Sequence, residues 1–169
     1  MGNIVLIGFM GCGKSSVAGC LKQQYGMQVI EMDQEITKRE GRSIPRIFEE
    51  EGEEYFRSRE TELLIELQNS DNTVISCGGG VPLRQENVQE MKKNGVVILL
   101  TATPQTIYER VKHNHNRPLL EGHMNVPYIA RLMEQRREKY EAAADAMIAT
   151  DGRPLKDICR EIMNIVKKA

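Results

Sequence analysis

Residues 8–16 read Gly-Phe-Met-Gly-Cys-Gly-Lys-Ser-Ser, and they constrain the fold more than any other stretch. The pattern is G-x-x-x-x-G-K-S, a phosphate-binding loop that works between a strand and a helix. Ile4-Val5-Leu6-Ile7 before it is an unbroken apolar run, the mark of a strand buried on both faces of a parallel sheet. Val17-Ala18-Gly19-Cys20-Leu21 after it suits a helix packed on that sheet. Glycines at 8, 11 and 13 let the backbone take conformations that a Cβ forbids. Successive N–H groups then face one concavity, and the helix adds its positive end. Lys14 is placed to reach the β- and γ-phosphates, and the Ser15 hydroxyl to ligate Mg²⁺. Gly11, Cys12, Gly13, Lys14, Ser15 and Ser16 are therefore the expected nucleotide-binding residues, with ATP and Mg²⁺ as the implied cofactors.

Composition excludes several classes. At 169 residues the chain holds one domain with a real core. Its net charge of -1 offers no surface for nucleic acid. No run approaches the ~20 apolar residues of a membrane helix. The first apolar run is too short for a signal peptide and leads straight into the loop. Cys12, Cys20, Cys77 and Cys159 are scattered and form no C-x-x-C pair, which favours reduced thiols in a cytoplasmic protein. Tryptophan is absent, so aliphatic side chains must fill the core.

Strand-like runs alternate with amphipathic stretches. Strands are expected at Asn3–Ile7, Gln28–Met32, Thr73–Ser76, Val96–Thr101 and Ala146–Thr150. Helices are expected at Lys14–Gln24, Gln34–Glu40, Ile44–Glu51, Glu53–Gln68, Leu83–Lys93, Pro104–Lys112, Val126–Ala143 and Leu155–Lys167. The alternation predicts an α/β fold with a parallel sheet covered by helices on both faces. Two intervals break the rhythm. Between the second and third strands the chain is too long for one crossover helix, so helices are inserted from Gln34 to Asn69. Residues 113–125 form a polar loop between two helices, and in a phosphoryl-transfer enzyme such a loop is a lid over ATP.

Four further pieces resemble the shikimate kinase family, in its order along the chain. They are Glu31-Met32-Asp33; Gly41-Arg42-Ser43-Ile44 with Ile47-Phe48, Gly52-Glu53 and Phe56-Arg57; Gly78-Gly79-Gly80; and Arg117-Pro118-Leu119-Leu120 with Arg136 downstream. The resemblance implies a five-stranded sheet of order 2-3-1-4-5, a shikimate-binding subdomain at 34–61 and a lid at about 112–124. It implies transfer of the γ-phosphoryl of ATP to the 3-hydroxyl of shikimate, in the pathway to chorismate and aromatic amino acids. A small-molecule acceptor, no nucleic-acid or membrane partner and a monomer are the matching expectations.

Asp33 ends a parallel strand, where ligands bind in open α/β sheets, and its carboxylate is able to take a proton from an attacking hydroxyl. The other reading of Asp33 is a helix N-cap. The resemblance makes it the group that holds and activates the shikimate hydroxyl. Glu31 stands where the family commonly has an aspartate near the magnesium hydration shell; a solvent-facing strand end is the alternative. By resemblance Arg57 and Arg136 grip the shikimate carboxylate, as guanidinium forks match carboxylates. Arg59 and Arg137 compete with them on spacing alone. Gly78, Gly79 and Gly80 let backbone amides approach substrate, Gly79 above all. Arg117 leads the lid motif and is expected to neutralise charge on the transferring phosphoryl. Arg110, Arg153 and Pro154 match adenine contacts. Glu49–Glu51 with Glu53 and Glu54 read as a solvated helix face. His113, His115 and His123 fit no standard zinc spacing and read as polar lid residues. Cys12 is a small filler within the loop.

Two rival readings remain at this point. Another small P-loop kinase, with gluconate or a nucleoside monophosphate as acceptor, shares the loop and lid but does not require Asp33, Arg57, the triple glycine and Arg136 in this order. A nucleotide-dependent switch protein needs a partner surface instead of an anionic pocket.

Overall fold

The computed structural model describes residues 2–112 and 125–169. Its sheet is fully parallel, in the order β2-β3-β1-β4-β5. Here β1 is Asn3–Ile7, β2 Gln28–Glu31, β3 Thr73–Ser76, β4 Gly95–Thr101 and β5 Ala146–Ala149. The helices are α1 (Lys14–Tyr25), α2 (Met32–Glu40), α3 (Ile44–Glu51), α4 (Glu53–Leu67), α5 (Gln85–Met91), α6 (Pro104–Val111), α7 (Val126–Ala143) and α8 (Leu155–Lys168).

β1 is buried throughout, which is why Ile4 to Ile7 are apolar without alternation, while the buried Asn3 side chain donates to Leu67 O and accepts from the Thr73 amide. Ile4 and Leu6 face α1 and α8, where they pack with Val17, Leu21, Ile158 and Ile162. Val5 and Ile7 face the opposite layer, with Met32, Ile36, Phe56, Leu64 and Ile129. The buried residues of α8, at 158, 159, 162, 163 and 166, trace the apolar stripe of a surface helix.

Two boundaries differ from the sequence expectation in ways that bear on the site; the others shift by one residue or not at all. β2 stops at Glu31, and α2 begins at Met32, which is fully buried. Asp33 is therefore not an N-cap; Glu31 holds that position, and Asp33 lies in the first helical turn, where the helix dipole favours an anion. The helix expected over Leu83–Lys93 divides into a 3-10 turn at Val81–Leu83 and α5, because Pro82 and the Gly80 carbonyl shape a tight turn first.

The long interval between β2 and β3 holds α2, α3 and α4. Gly41 closes α2 in the left-handed region, at φ 67°. Ser43 caps α3 by accepting from the Arg46 amide, and Gly52 turns the chain into α4 at φ 90°. The acidic run of α3 and α4 is exposed but engaged: Glu50 pairs with Arg42 and Arg46, Glu53 with Arg57, and Glu54 with Arg84. Among the described residues, no helix is long and apolar enough to cross a membrane.

Candidate active site

The carboxyl ends of β2, β3 and β1 lie side by side, because those strands are neighbours in the sheet. Each delivers one segment to the same edge: the first turn of α2, with Met32 and Asp33, from β2; Cys77 to Gly80 from β3; and the phosphate-binding loop from β1. This is the edge where open parallel sheets bind ligands.

The β1 loop has the geometry of an anion cradle. Gly8, Gly11 and Gly13 take φ of 149°, 78° and 107°. A Cβ at Gly8 would lie 2.5 Å from both Cys12 Sγ and Leu100 O, so a side chain there is excluded. Gly13 begins α1 without a side-chain cap, and the first turn carries no acidic residue. That opening leaves first-turn amides for a phosphate. Lys14 Nζ donates to Gly8 O at 2.6 Å and Phe9 O at 3.2 Å, which holds its charge over the loop. Cys12 is buried under the loop as a filler.

The three glycines after β3 each face a different functional group. A Cβ on Gly78 would meet Asp33 Oδ1 at 2.8 Å and Glu60 Oε2 at 3.1 Å. One on Gly79 would meet Arg136 Nη1 at 3.0 Å. One on Gly80 would collide with the Arg57 guanidinium, 2.7 Å from Cζ. Asp33 of α2, Arg57 of α4 and Arg136 of α7 thus converge on one glycine ribbon, although more than 100 residues separate the first from the last. Arg59 and Arg137 do not join them. Arg59 pairs with Glu62 at 3.0 Å and lies over the Tyr55 ring, and Arg137 pairs with Glu134 at 2.9 Å.

Known proteins resemble this chain along nearly its whole length. Residues 10–167 match the family model described as shikimate kinase. A shikimate kinase from Persephonella marina is 42% identical over 99% of this chain and 100% of its own length. A solved shikimate kinase from Acinetobacter baumannii, in complex with shikimate, superposes with a TM-score of 0.91 at 32% identity, covering 99% of this chain and 94% of that one. The chain belongs to the shikimate kinase family. The enzyme from Aquifex aeolicus superposes with a TM-score of 0.79 at 36% identity, over 98% of this chain and 96% of its own. These matches establish the P-loop kinase fold for the whole chain.

Two buried groups of this chain escaped the sequence reading. Glu60 is 1% exposed, and its Oε1 accepts from Arg57 Nη1 at 2.8 Å. Among the described residues its other oxygen, Oε2, is buried without a hydrogen-bond partner. Burial pushes its carboxyl up to about 7; Arg57 opposes the shift, and nearby Asp33 adds to it. The sequence carried a signal. Phe56, Glu60, Leu63 and Leu67 fall at helical spacing on one buried stripe, and a glutamate there demands a partner. Tyr140 is 5% exposed and follows Arg136 by one helical turn. Its hydroxyl donates to Gly79 O at 2.6 Å and accepts from Arg136 Nη1 at 3.2 Å. The Arg136 guanidinium also lies 5.6 Å from the Phe9 ring centre, so it bridges toward the β1 loop.

The other expected residues spread around this centre. Glu31 sits half-buried at the end of β2, paired in register with Ser76. Ser15 and Ser16 are exposed in the first turn of α1. Arg110 Nη1 donates to Gly11 O at 3.0 Å and to Thr150 Oγ1 at 3.2 Å. The buried Thr150 hydroxyl lies 2.9 Å from Cys12 O, so α6 and the end of β5 brace the phosphate loop. Arg153 donates to Ala149 O and pairs with Glu161 at 2.8 Å, while Pro154 opens α8. Arg117, Pro118-Leu119-Leu120, the three histidines and the proposed lid beyond Lys112 lie outside the described residues.

Proposed function

We propose that this chain transfers the γ-phosphoryl group of ATP to the 3-hydroxyl of shikimate, giving ADP and shikimate 3-phosphate. This is the shikimate kinase step of the pathway to chorismate and the aromatic amino acids. The observation that carries the reading is the glycine ribbon, with Asp33, Arg136 and Arg57 each set against one of its residues beside the phosphate cradle. An acceptor with a carboxylate at one end and a hydroxyl at the other fits that array; a nucleoside monophosphate has no carboxylate to fill it, and gluconate, which has both groups, is set aside by the family match rather than by the array. Family membership and the relative solved with shikimate support the same acceptor.

Arg57 and Arg136 grip the shikimate carboxylate, with Gly78, Gly79 and Gly80 beneath it. Glu60 pins Arg57 through their hydrogen bond. Asp33 orients the 3-hydroxyl and takes its proton as the oxygen attacks the γ-phosphorus. Gly11 to Ser16 hold the β- and γ-phosphates, and Lys14 carries charge to the oxygens as the bond to ADP breaks. The hard oxygen donors of Ser15 and Glu31 suit Mg²⁺, which when bound neutralises charge between the β- and γ-phosphates. Arg110, Arg153 and Pro154 are assigned to the adenine end, Arg117 to the transferring phosphoryl, residues 34–61 to shikimate binding and 112–124 to a lid. One chain supplies every one of these groups, which supports a monomer. The four cysteines are free thiols, in keeping with work in the cytoplasm.

The test is ADP release at saturating Mg-ATP with and without shikimate, with gluconate and nucleoside monophosphates as controls. ADP release should depend on shikimate. Release that ignores shikimate, or that responds better to another acceptor, refutes the assignment.

A further inference from the structure

Tyr140 raises a question that packing alone does not answer. It is 5% exposed between α7 and the apolar layer, where a phenylalanine would fill the same space. A buried hydroxyl is unfavourable unless it is bonded. This one makes two bonds, and both end on the acceptor site. Its proton goes to Gly79 O at 2.6 Å, and its lone pair receives Arg136 Nη1 at 3.2 Å. Arg136 and Tyr140 stand one turn apart on α7, so their side chains share a face. Gly79 is what lets the group close: a Cβ there would lie 3.0 Å from Arg136 Nη1 and 3.5 Å from Tyr140 Oη.

We infer that the Tyr140 hydroxyl is a positioning residue for acceptor recognition: it sets the reach of the Arg136 guanidinium and the orientation of the Gly79 peptide together, and so fixes the preference for a carboxylate-bearing acceptor. The inference rests on the shikimate kinase reading above. With the Gly79 carbonyl held by the phenol, the N–H of Gly80 across the same trans peptide points the opposite way. One hydroxyl therefore decides which face of the ribbon displays an amide. It also limits how far Arg136 can swing, since its guanidinium is held between the phenol and the Phe9 ring. Burial holds the phenol pKa up, so the proton given to Gly79 stays in place at neutral pH.

The experiment is steady-state kinetics of the full chain carrying Tyr140→Phe. Two acceptors are compared, shikimate and its analogue with a neutral hydroxymethyl in place of the carboxylate. The KM for shikimate should rise about tenfold, the equivalent of one to two lost hydrogen bonds. The KM for ATP should stay within about twofold, since no ATP-binding group is touched. Preference for shikimate over the analogue should fall by a similar factor to the KM change. Equal losses on both acceptors, or no change, would mean that the phenol only packs, and would overturn the inference while leaving the kinase reading intact. A wild-type chain that ignores shikimate overturns both. A second readout needs no variant. In wild type labelled with 3-fluorotyrosine, shikimate should shift the ¹⁹F resonance of the most solvent-protected tyrosine, and the analogue should shift it less. An unmoved resonance overturns the inference.

Discussion

Lys14 hovers over the loop by donating to two of its carbonyls, 2.6 and 3.2 Å away, so its charge is placed before any nucleotide arrives. Replacing it with methionine keeps the unbranched shape and most of the length of the side chain and removes the charge. Lys14→Met should fold normally and lose about 3 kcal/mol or more of transition-state stabilisation, measured as kcat at saturating ATP and shikimate. Near wild-type turnover would show that the cradle is not catalytic. Glu60 makes a second prediction, about pH. Its folded-state carboxyl titrates near 7, above its ordinary 4.5, chiefly through burial. A native state that holds a proton longer than the unfolded chain loses stability as pH rises. The contribution of Glu60 is therefore fully present below about 4.5 and disappears as pH climbs through about 7. Glu60→Gln, which stays neutral, should flatten the fall in Tm between pH 5 and pH 8. Parallel wild-type and variant profiles across that range would show that Glu60 is already ionised at the lower pH.

The glycine ribbon and the helices around it show what single elements contribute. Gly80 has φ -87° and ψ -11°, a conformation open to any L residue, so its lack of a side chain is not a backbone requirement. What excludes a methyl there is the Arg57 guanidinium, the mobile end of a long side chain. Gly80→Ala should therefore displace Arg57 and lower Tm modestly, because the buried Glu60 loses its partner, and the KM for shikimate should rise about tenfold or more for one lost charge-assisted contact. Unfolding of the variant, or an unchanged KM, would break the link between Gly80 and Arg57. Gly8 is the contrast, since its φ of 149° and the Leu100 carbonyl both forbid a side chain. Most of these elements were legible in the sequence. Strand β1 and the phosphate loop have a pattern with one structural solution, and α7 and α8 announce themselves by apolar spacing. The start of α2 was not legible, because Met32 continues the apolar run of β2 and only its burial in the helical layer separates them. Spacing also left open the choice of Arg57 over Arg59, which only the family resemblance made. Two arginines two positions apart face different sides of α4, and which side meets the ribbon depends on where α4 packs. Glu60 and Tyr140 were visible as polar groups on apolar stripes, but their partners come from other elements.

At the scale of the molecule, sheet order does the assembling. With β3 between β2 and β1, the ribbon after β3 lies between the first turn of α2, which bears Asp33, and the phosphate cradle. Helix α4 then brings Arg57 from one side and α7 brings Arg136 from the other. Neither arginine has a sequence reason to know of the other; only the folded chain brings both to one ribbon. If one carboxylate lies between them, each charge-assisted contact is worth ~1.5–3 kcal/mol, so Arg57→Ala or Arg136→Ala should weaken shikimate by roughly ten- to a hundredfold or more. The double variant should lose less than the sum of the two, because both groups hold one anion. Affinity for ATP should stay close to wild type in all three. The neutral hydroxymethyl analogue separates this clamp from general damage. Wild type should bind it poorly, and each single variant should discriminate against it far less. Two single variants that keep the full preference for the carboxylate would move the clamp away from the ribbon, and two losses that simply add would show that the arginines act on separate groups.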